Sequence, residues 1–579
     1  MVPDARPLPA LQRAYVYLVS LVAILMVVLG VANLLRVFAE LVYPAQYTGF
    51  TGLPFLFWDY SRPRDVDREQ ASLAIALLAV GGPAWFFHFR AGQRAARRSV
   101  AERASAMRSF YIHAVVFVTA MLAFGYGQQA LSLVLQGLLF GNPTPSDSVR
   151  YVGGFGVGTD WPARAAGAAA MAVTAAAVLA YHARLSIADR RAAPFAGRAA
   201  QLRQFTLYLL VVVGLAWSSY STINAFSQIW LYVVDQIVVP SSVIEFAPPP
   251  GIPIPQAPSR EDYLWFQLLG VIPGAVLGFA LWLGTWIPLA RGIRGATPNA
   301  EIERRSSIRK LTVYLIVLIS ALTVLASGTI ALTAIGRRLL GDPIVERFTT
   351  LHREIGMPIV TVIVLGAVWV FYRRAIATDA ALEPERERAA TIRRVYTYLI
   401  AGIGMAMLAI GLASLIGVIG SQAMNIRHHP NSETATAISI VLLGAPAWAL
   451  SWWQARRRLD DDERRSAPRG AYLYLGVLGG VLGLLGFGSA LLYRLVNAAL
   501  AGSLFSIETW HDIWHFLVEA SVSAGVFLFH YRALRADRAA QLPGITQHSF
   551  SVLVQAPDAT AARARLATAL EGQTDISVR

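Results

Sequence analysis

The stretch Gly81–Arg90, GGPAWFFHFR, places small residues, a proline, aromatic residues and a histidine at the end of an apolar run, directly before a cluster of arginines. A closely similar stretch, GAPAWALSWW, occupies Gly444–Trp453. A proline and small residues inside an apolar run are typical of a transmembrane helix that packs closely against a neighbour. The recurrence of this stretch so far along the chain indicates that one structural unit is repeated.

Composition favours a membrane protein. The chain has 579 residues, of which 55% are hydrophobic and 15% are charged, whereas a soluble protein carries about 25% charged residues. The apolar residues form separate runs of roughly 20 to 30, each long enough to cross about 30 Å of hydrocarbon as a helix. We therefore predict an all-α polytopic membrane protein with about twelve transmembrane helices, arranged as six repeated helical hairpins.

Each predicted hairpin begins with arginine and tyrosine, crosses an outer loop and returns to arginine. The six openings are RAYVYL (Arg13–Leu18), RSFYIH (Arg108–His113), RQFTLYL (Arg203–Leu209), RKLTVYL (Arg309–Leu315), RVYTYL (Arg394–Leu399) and RGAYLYL (Arg469–Leu475). The predicted hairpins are residues 1–100, 101–200, 201–305, 306–390, 391–466 and 467–540. A tail of residues 541–579 follows them, and its sequence predicts a small cytoplasmic strand–helix–strand unit.

The distribution of charge predicts the orientation. The chain has 50 basic and 35 acidic residues, and Lys310 is its only lysine. The arginines lie in clusters between hairpins rather than in one patch, so no nucleic-acid partner is predicted. The loops joining hairpins carry more arginine than the longer loops inside hairpins, which places the joining loops and both termini in the cytoplasm. The first apolar run is too long for a signal peptide, so we interpret it as a retained span.

The repeated box carries a family resemblance. A small residue, proline, small residue and tryptophan lead to histidine, an aromatic residue and arginine, and the chain thereby resembles the bacterial membrane family called domain of unknown function 5671. The best-fitting hairpins are the first, fifth and sixth, through AYVYLVSLVAIL (Ala14–Leu25), VYTYLIAGIG (Val395–Gly404) and AYLYLGVLGG (Ala471–Gly480). The resemblance omits the tail. It implies repeated hairpins in the bacterial cytoplasmic (inner) membrane, and it carries no established activity.

Histidines recur near the predicted cytoplasmic ends of the return helices. Trp85 and His88 are three residues apart and share one helical face. Aligned on the return helix, the position of His88 is histidine again at His182 and His530, and His113 is expected near the same surface. One interpretation is a ring of ligands that binds haem through paired imidazoles, or an anionic headgroup. The other is a set of interfacial polar residues that bond neighbouring carbonyl groups.

A second candidate site lies in ETWHDIWHFLVEA, at the outer start of the last predicted span. His511, His515 and Glu519 follow one another at intervals of four residues, so they stack on one helical face. Two imidazoles and a carboxylate at this spacing suit a proton relay, or a divalent metal held by His511 and His515. A carboxyl group near mid-membrane costs roughly a few kcal/mol unless it is paired or protonated. The alternative is structural pairing of these side chains, with Arg494 as a partner.

The function predicted from these patterns is binding or conduction of an ion, lipid or small solute between the repeats. The alternatives are an accessory subunit of a larger membrane assembly and, more weakly, a haem- or quinone-binding protein. No catalytic motif is found, and the absence of cysteine excludes thiolate chemistry. No cofactor is expected, with haem and a divalent metal as the alternatives. The predicted partners are the lipid bilayer and, through the tail, a second copy or a membrane complex.

Overall fold

A computed structural model describes most of the chain. The described residues are 8–42, 63–140, 161–193, 197–237, 260–295, 298–341, 351–382, 387–425 and 430–540, with 558, 560, 561, 564 and 568. All regular secondary structure within these residues is helical. The two strands predicted for the tail lie outside the described residues, and the tail residues 560, 561, 564 and 568 are helical.

Twelve long helices form the body of the described structure. They are α1 (Ala10–Val42), α2 (Pro63–Arg98), α4 (Ala106–Phe140), α5 (Trp161–Ala192), α6 (Gly197–Ile237), α7 (Arg260–Gly292), α9 (Ser307–Leu339), α10 (Leu351–Leu382), α11 (Glu387–Ala423), α12 (Pro430–Arg457), α14 (Ala467–Leu500) and α15 (Ile507–Ala540). Three short helices join long ones: α3 (Val100–Arg103), α8 (Pro298–Arg304) and α13 (Asp461–Arg464). Each long helix is long and apolar enough to cross a membrane.

Consecutive long helices pack side by side in antiparallel pairs. Gly30 of α1 faces Ala74 of α2, whereas Gly81, further along α2, faces Ala23, which lies earlier in α1. Such contacts require small residues, because a Cβ atom at Gly30 or Gly81 would lie within 3 Å of the opposite side chain. The glycines therefore set how closely the two helices of a pair approach.

The six helix pairs combine into three four-helix units, which we call repeat units. The first contains α1, α2, α4 and α5, the second α6, α7, α9 and α10, and the third α11, α12, α14 and α15. Within each repeat unit the first long helix packs against the last, as in α1 with α5. The repeat units are joined in series, since α4 packs on α6 and α7, and α9 packs on α11 and α12.

A buried polar cluster closes one end of every repeat unit, and we call it the arginine cluster. It joins a tyrosine of the first long helix, a glutamate of the short helix, an arginine at the start of the third long helix and an aspartate near the end of the fourth. The members are Tyr17, Glu102, Arg108 and Asp189; Tyr208, Glu303, Arg309 and Asp379; and Tyr398, Glu463, Arg469 and Asp537.

The geometry of the arginine cluster is nearly the same in all three repeat units. The Nε–Oδ2 distances are 2.6 Å in Arg108–Asp189, 2.8 Å in Arg309–Asp379 and 2.6 Å in Arg469–Asp537. In each cluster the tyrosine hydroxyl donates to the glutamate and accepts from the arginine. The glutamate also accepts from a side chain one turn before the tyrosine, which is Arg13, Gln204 or Arg394.

Burial makes these contacts necessary. The Arg108 side chain is only 1% exposed, and an isolated buried charge costs several kcal/mol unless a counter-ion and hydrogen bonds compensate it. The cluster supplies both, and it draws its groups from both helix pairs and from the short helix between them. It therefore fixes how the two pairs of a repeat unit are held together.

We expect Glu303→Ala to lower the thermal stability of the purified protein in detergent. The substitution leaves the Tyr208 hydroxyl and the Gln204 amide without their acceptor, at about 1–3 kcal/mol for each buried group. The matched control is Glu301→Ala, two residues earlier in α8, whose exposed pair with Arg305 contributes about 0–1 kcal/mol. Equal melting temperatures for the two variants would contradict a stabilising role of the cluster.

Candidate functional site

Most ring nitrogens of the histidines predicted as cytoplasmic-side ligands already form hydrogen bonds. In His88, Nδ1 lies 2.8 Å from Ala84 O and Nε2 lies 3.1 Å from the Tyr15 hydroxyl. His113 Nδ1 forms a hydrogen bond with Ser109 O, and its Nε2 forms one with Ser186 Oγ. Because both ring nitrogens of each imidazole are engaged, these contacts favour the interpretation as packing residues.

His182 and His530 belong to a repeated aromatic layer next to the arginine cluster. They lie seven residues before Asp189 and Asp537, and the same position of the second repeat unit holds Tyr372. His182 Nδ1 lies 2.9 Å from Val178 O and Nε2 3.0 Å from the Tyr111 hydroxyl, while His530 Nδ1 lies 2.8 Å from Val526 O. The indoles of Trp85, Trp282 and Trp448 donate to Tyr111, Tyr372 and Tyr472 of this layer.

The structure does not assemble the four histidines into one site. His88 bonds to Tyr15 at the edge of the first repeat unit, whereas His182 and His530 occupy equivalent places in different repeat units. Within the described part of the chain, no group of three or more histidine, aspartate or glutamate side chains could hold a metal ion. The haem and metal hypotheses stay predictions.

The second candidate site is built around one serine of α11. Ser421 Oγ lies 3.0 Å from His511 Nε2 and 3.1 Å from His515 Nε2. The two imidazole rings meet edge to face, with their centroids 4.6 Å apart. His515 also packs on Gly417, where a Cβ atom would lie 2.8 Å from the ring. The sequence placed both histidines on one face of α15, and the structure adds the serine between them.

Arg494 does not pair with Glu519. Its Nε lies 2.8 Å from Asp512 Oδ2, and His511 Nδ1 lies 3.6 Å from the other oxygen of Asp512. In the described structure no arginine or lysine forms an ion pair with Glu519. Asp512 therefore balances the arginine, and the Glu519 carboxyl is left to face a cavity.

That cavity has a volume of about 490 Å³ and lies inside the third repeat unit. Its polar lining consists of Ser414, Ser432, Glu433, Thr436, His515, Glu519 and Ser523. The apolar lining comes from Ala409, Ile410, Ala413, Val418, Ala437, Ile440, Phe487 and Val522. Two acidic residues and several residues with hydroxyl groups therefore line the cavity, while its lining contains no arginine or lysine.

The polar side chains of α15 are specific to the third repeat unit. His182, Tyr372 and His530 hold equivalent positions and align the three helices. At the same distances before His182 as His511, His515 and Glu519 lie before His530, α5 has Ala163, Gly167 and Met171. At those distances before Tyr372, α10 has Arg353, Met357 and Thr361. The helix packing is shared by all three repeat units. It therefore does not require two histidines and a glutamate at these places, which favours a functional role for them.

Of the residues that line the cavity, the sequence patterns indicated only His515 and Glu519, and they missed the second acidic residue, Glu433. Glu433 lies in the first turn of α12, and Ser432 precedes it. Glu433 is the only acidic residue between Asn425 and Asp460, which is a weak signal by itself. Its relation to Glu519 depends on how α12 packs, which the spacing of residues along the chain cannot predict.

The fold and the cavity define a repeated all-helical protein with long apolar helices and a polar cavity in one repeat unit. A family model described as Domain of unknown function (DUF5671) matches residues 13–158, 253–367 and 394–519. These regions cover more than half of the chain, which therefore belongs to this family, and the resemblance seen in the sequence is confirmed. Searches of characterised proteins and of solved structures each found no significant match.

The three family matches agree with a repeated domain. The first and third begin at Arg13 and Arg394, which hold the same place in the arginine clusters of the first and third repeat units. The second match begins later within its repeat unit, at residue 253. None of the matches extends into the tail.

We expect Ser421→Ala to destabilise the protein by about 1–3 kcal/mol, because two hydrogen bonds of about 0.5–1.5 kcal/mol each are lost. Ser521→Ala is the matched control, since its exposed hydroxyl bonds only to Leu517 O of its own helix. Thermal unfolding in detergent measures both variants. A Ser421→Ala protein as stable as the Ser521→Ala protein would contradict the role of Ser421 in holding the two imidazoles.

Proposed function

We propose that this chain is an integral membrane protein that binds a small organic cation in the cavity of its third repeat unit. Twelve helices of suitable length and apolar composition support the membrane location. The large apolar side chains exposed along them, such as Val173 of α5 and Ile363 of α10, would be unfavourable in water and suit contact with lipid.

The observation that carries the proposal is the Glu519 carboxyl in the cavity. A carboxyl at this depth in a membrane is costly unless a proton or a counter-ion compensates it. The described structure provides no arginine or lysine partner for Glu519, and Glu433 adds a second carboxyl to the same lining. A bound cation would supply the missing charge.

The size and lining of the cavity favour an organic cation over a bare metal ion. A volume of about 490 Å³ falls within the roughly 300–1,000 Å³ of small-molecule sites. Ile410, Ala413 and Phe487 give an apolar surface for an alkyl group, and the ring of Phe487 can attract a cation. His515 and Ser523 supply hydrogen-bonding groups beside Glu519. The expected ligand is therefore an amine or a similar small cation with an apolar part.

The orientation is part of the proposal. The arginine-rich joining segments favour the cytoplasmic side for the end that carries the arginine clusters. With an even number of spans, both termini then lie in the cytoplasm. The Glu519 cavity, which begins two turns after the first residues of α15, faces the outer half of the membrane. In a bacterium this is the cytoplasmic (inner) membrane.

The binding test compares two probes of the same length and opposite charge, butylammonium and butyrate. We expect butylammonium to raise the melting temperature of the wild-type protein in lipid nanodiscs and butyrate to leave it unchanged. A ligand at a hundredfold its Kd stabilises by about 2.7 kcal/mol. Glu519→Gln should abolish the effect of butylammonium.

Glu508→Gln is the matched control for Glu519→Gln. Glu508 lies on the same helix, is exposed and does not line the cavity, so this variant should respond like the wild-type protein. Equal responses to butylammonium and butyrate, or equal losses in the two variants, would contradict the proposal. Uptake of labelled butylammonium into proteoliposomes then separates binding alone from conduction.

The accessory-subunit hypothesis is the second candidate, favoured by the exposed apolar helix faces of the third repeat unit. It predicts that butylammonium leaves the melting temperature of the wild-type protein unchanged and that Glu519→Gln gives the same result. The same experiment therefore separates the accessory-subunit hypothesis from cation binding. An absorption spectrum and metal analysis of the purified protein test the haem and divalent-metal hypotheses. A Soret band, or metal lost in His515→Ala, would assign the histidines to cofactor chemistry.

A further inference from the structure

The contact between neighbouring repeat units is built twice in the same way. In the first instance α4 packs on α6 and α7, and in the second α9 packs on α11 and α12. The third long helix of one repeat unit thus always meets the first helix pair of the next. By this rule α14, the third long helix of the third repeat unit, should meet the first helix pair of another repeat unit. Likewise, α1 and α2, the first helix pair of the first repeat unit, should meet the third long helix of another repeat unit.

A glycine and an aliphatic side chain repeat at the centre of this contact. Gly127 of α4 and Gly328 of α9 each lie nineteen residues after the arginine of their cluster. A Cβ atom on Gly127 would lie 3.6 Å from Leu277, and one on Gly328 would lie 3.0 Å from Leu443. Both leucines lie five residues before the tryptophan of the aromatic layer. The leucine of one repeat unit therefore covers the glycine of the preceding one.

The equivalent glycine and aliphatic side chain also occur at the two ends of the series, where the described structure places no further repeat unit against them. Gly488 lies nineteen residues after Arg469, and no described residue comes within 4 Å of a Cβ atom placed on it. Val80 lies five residues before Trp85 and is 61% exposed. The two ends of one molecule are thus complementary to each other, with a glycine at one end and an aliphatic side chain at the other.

A second, independent pair lies nearer to the arginine cluster. Tyr314 of α9 packs on Tyr396 of α11, with the ring centroids 5.7 Å apart. The equivalent of Tyr314, five residues after the cluster arginine, is Tyr474, which is 51% exposed. The equivalent of Tyr396, two residues before the cluster tyrosine, is Tyr15, which is 58% exposed.

The surface of α14 that is equivalent to these contacts is extensive. Tyr474 and Gly488 are fourteen residues apart, about 21 Å along the helix at 1.5 Å per residue, which is most of the thickness of a bilayer core. Only 6% of the apolar stretch of α14 is buried, against 39% in α4 and 22% in α9. The helix that ends the series is therefore the least covered of the three equivalent helices.

We propose that a second copy of this chain covers α14 by docking its own α1 and α2 there. Val80 of one copy then covers Gly488 of the other, and Tyr15 packs on Tyr474. The contact is head-to-tail, so each copy uses two different surfaces, and repetition gives a ring or an open array. This inference concerns a surface away from the Glu519 cavity and does not depend on cation binding. It also differs from the pairing through the tail that the sequence suggested.

Cysteine cross-linking tests the pairing directly, because the chain has no cysteine of its own. A Val80→Cys copy and a Gly488→Cys copy, carrying different tags, are co-expressed and oxidised in native membranes. We expect a disulfide-linked heterodimer. The control pairs Gly488→Cys with Val173→Cys, whose position on α5 is 67% exposed but belongs to neither docking surface. Equal yields for the two pairs, or a dominant dimer of Gly488→Cys with itself, would overturn the proposal.

A matched pair of glycine variants tests the packing without cysteine. Gly488→Leu fills the proposed contact and should weaken self-association in liposomes about fivefold or more, as a steric cost of about 1–3 kcal/mol implies. Gly486→Leu should have no effect, because its equivalent Gly125 also has no neighbour within 4 Å.

Neither glycine variant should perturb the single chain, since in the described part of the chain no atom lies within 4 Å of a Cβ atom at Gly486 or Gly488. Association is measured by energy transfer between labelled copies at several protein-to-lipid ratios. A wild-type protein that stays monomeric at all ratios would assign this face to lipid and overturn the proposal. Equal weakening of self-association by Gly486→Leu and Gly488→Leu would also overturn the proposal.

Discussion

The ion pair between a buried arginine and a buried aspartate is the contact on which each repeat unit depends. Arg108, Arg309 and Arg469 are almost fully buried, and removal of a charge from water is tolerated only when a counter-charge and hydrogen bonds replace the lost solvation. The aspartate provides the counter-charge, the tyrosine hydroxyl accepts a hydrogen bond, and the short-helix glutamate accepts from that tyrosine. Because these three groups come from three separate segments, the arginine can be satisfied only when both helix pairs are correctly placed. This requirement makes the four-helix unit, rather than the single hairpin, the structural element that is repeated.

Because the three repeat units share one architecture, the residues that differ between them are informative. Packing and the arginine cluster are common to the three repeat units, so a side chain that occurs in only one of them is not explained by the scaffold. The second repeat unit replaces histidine by Tyr372 in the aromatic layer, and the layer still forms through the Trp282 indole. The third repeat unit carries His511, His515 and Glu519 where the others carry small, apolar or unrelated residues. The proposed cation site is therefore an addition to the scaffold.

Serial packing of the repeat units leaves two surfaces without the partner that their equivalents have. A contact of this kind does not close on itself within three repeat units, since α14 stays largely uncovered. Glycine at the centre of the contact matters because helices in lipid gain little from apolar burial and associate through close van der Waals packing. The proposed docking of a second copy and the proposed binding of a cation would use different parts of the third repeat unit. If both hold, one chain combines a solute site with assembly.

The sequence by itself determined the long apolar helices, the alternation of arginine-rich and arginine-poor connections, and the family, because the length and composition of a run are local properties. It also placed His511, His515 and Glu519 on one helical face, since the helix period alone decides this. The tertiary structure decided which groups meet. Tyr17 and Glu102 are 85 residues apart, and Arg494 forms an ion pair with Asp512 rather than with Glu519. Such pairings depend on the angle and depth at which helices pack, which the sequence specifies only through the whole fold.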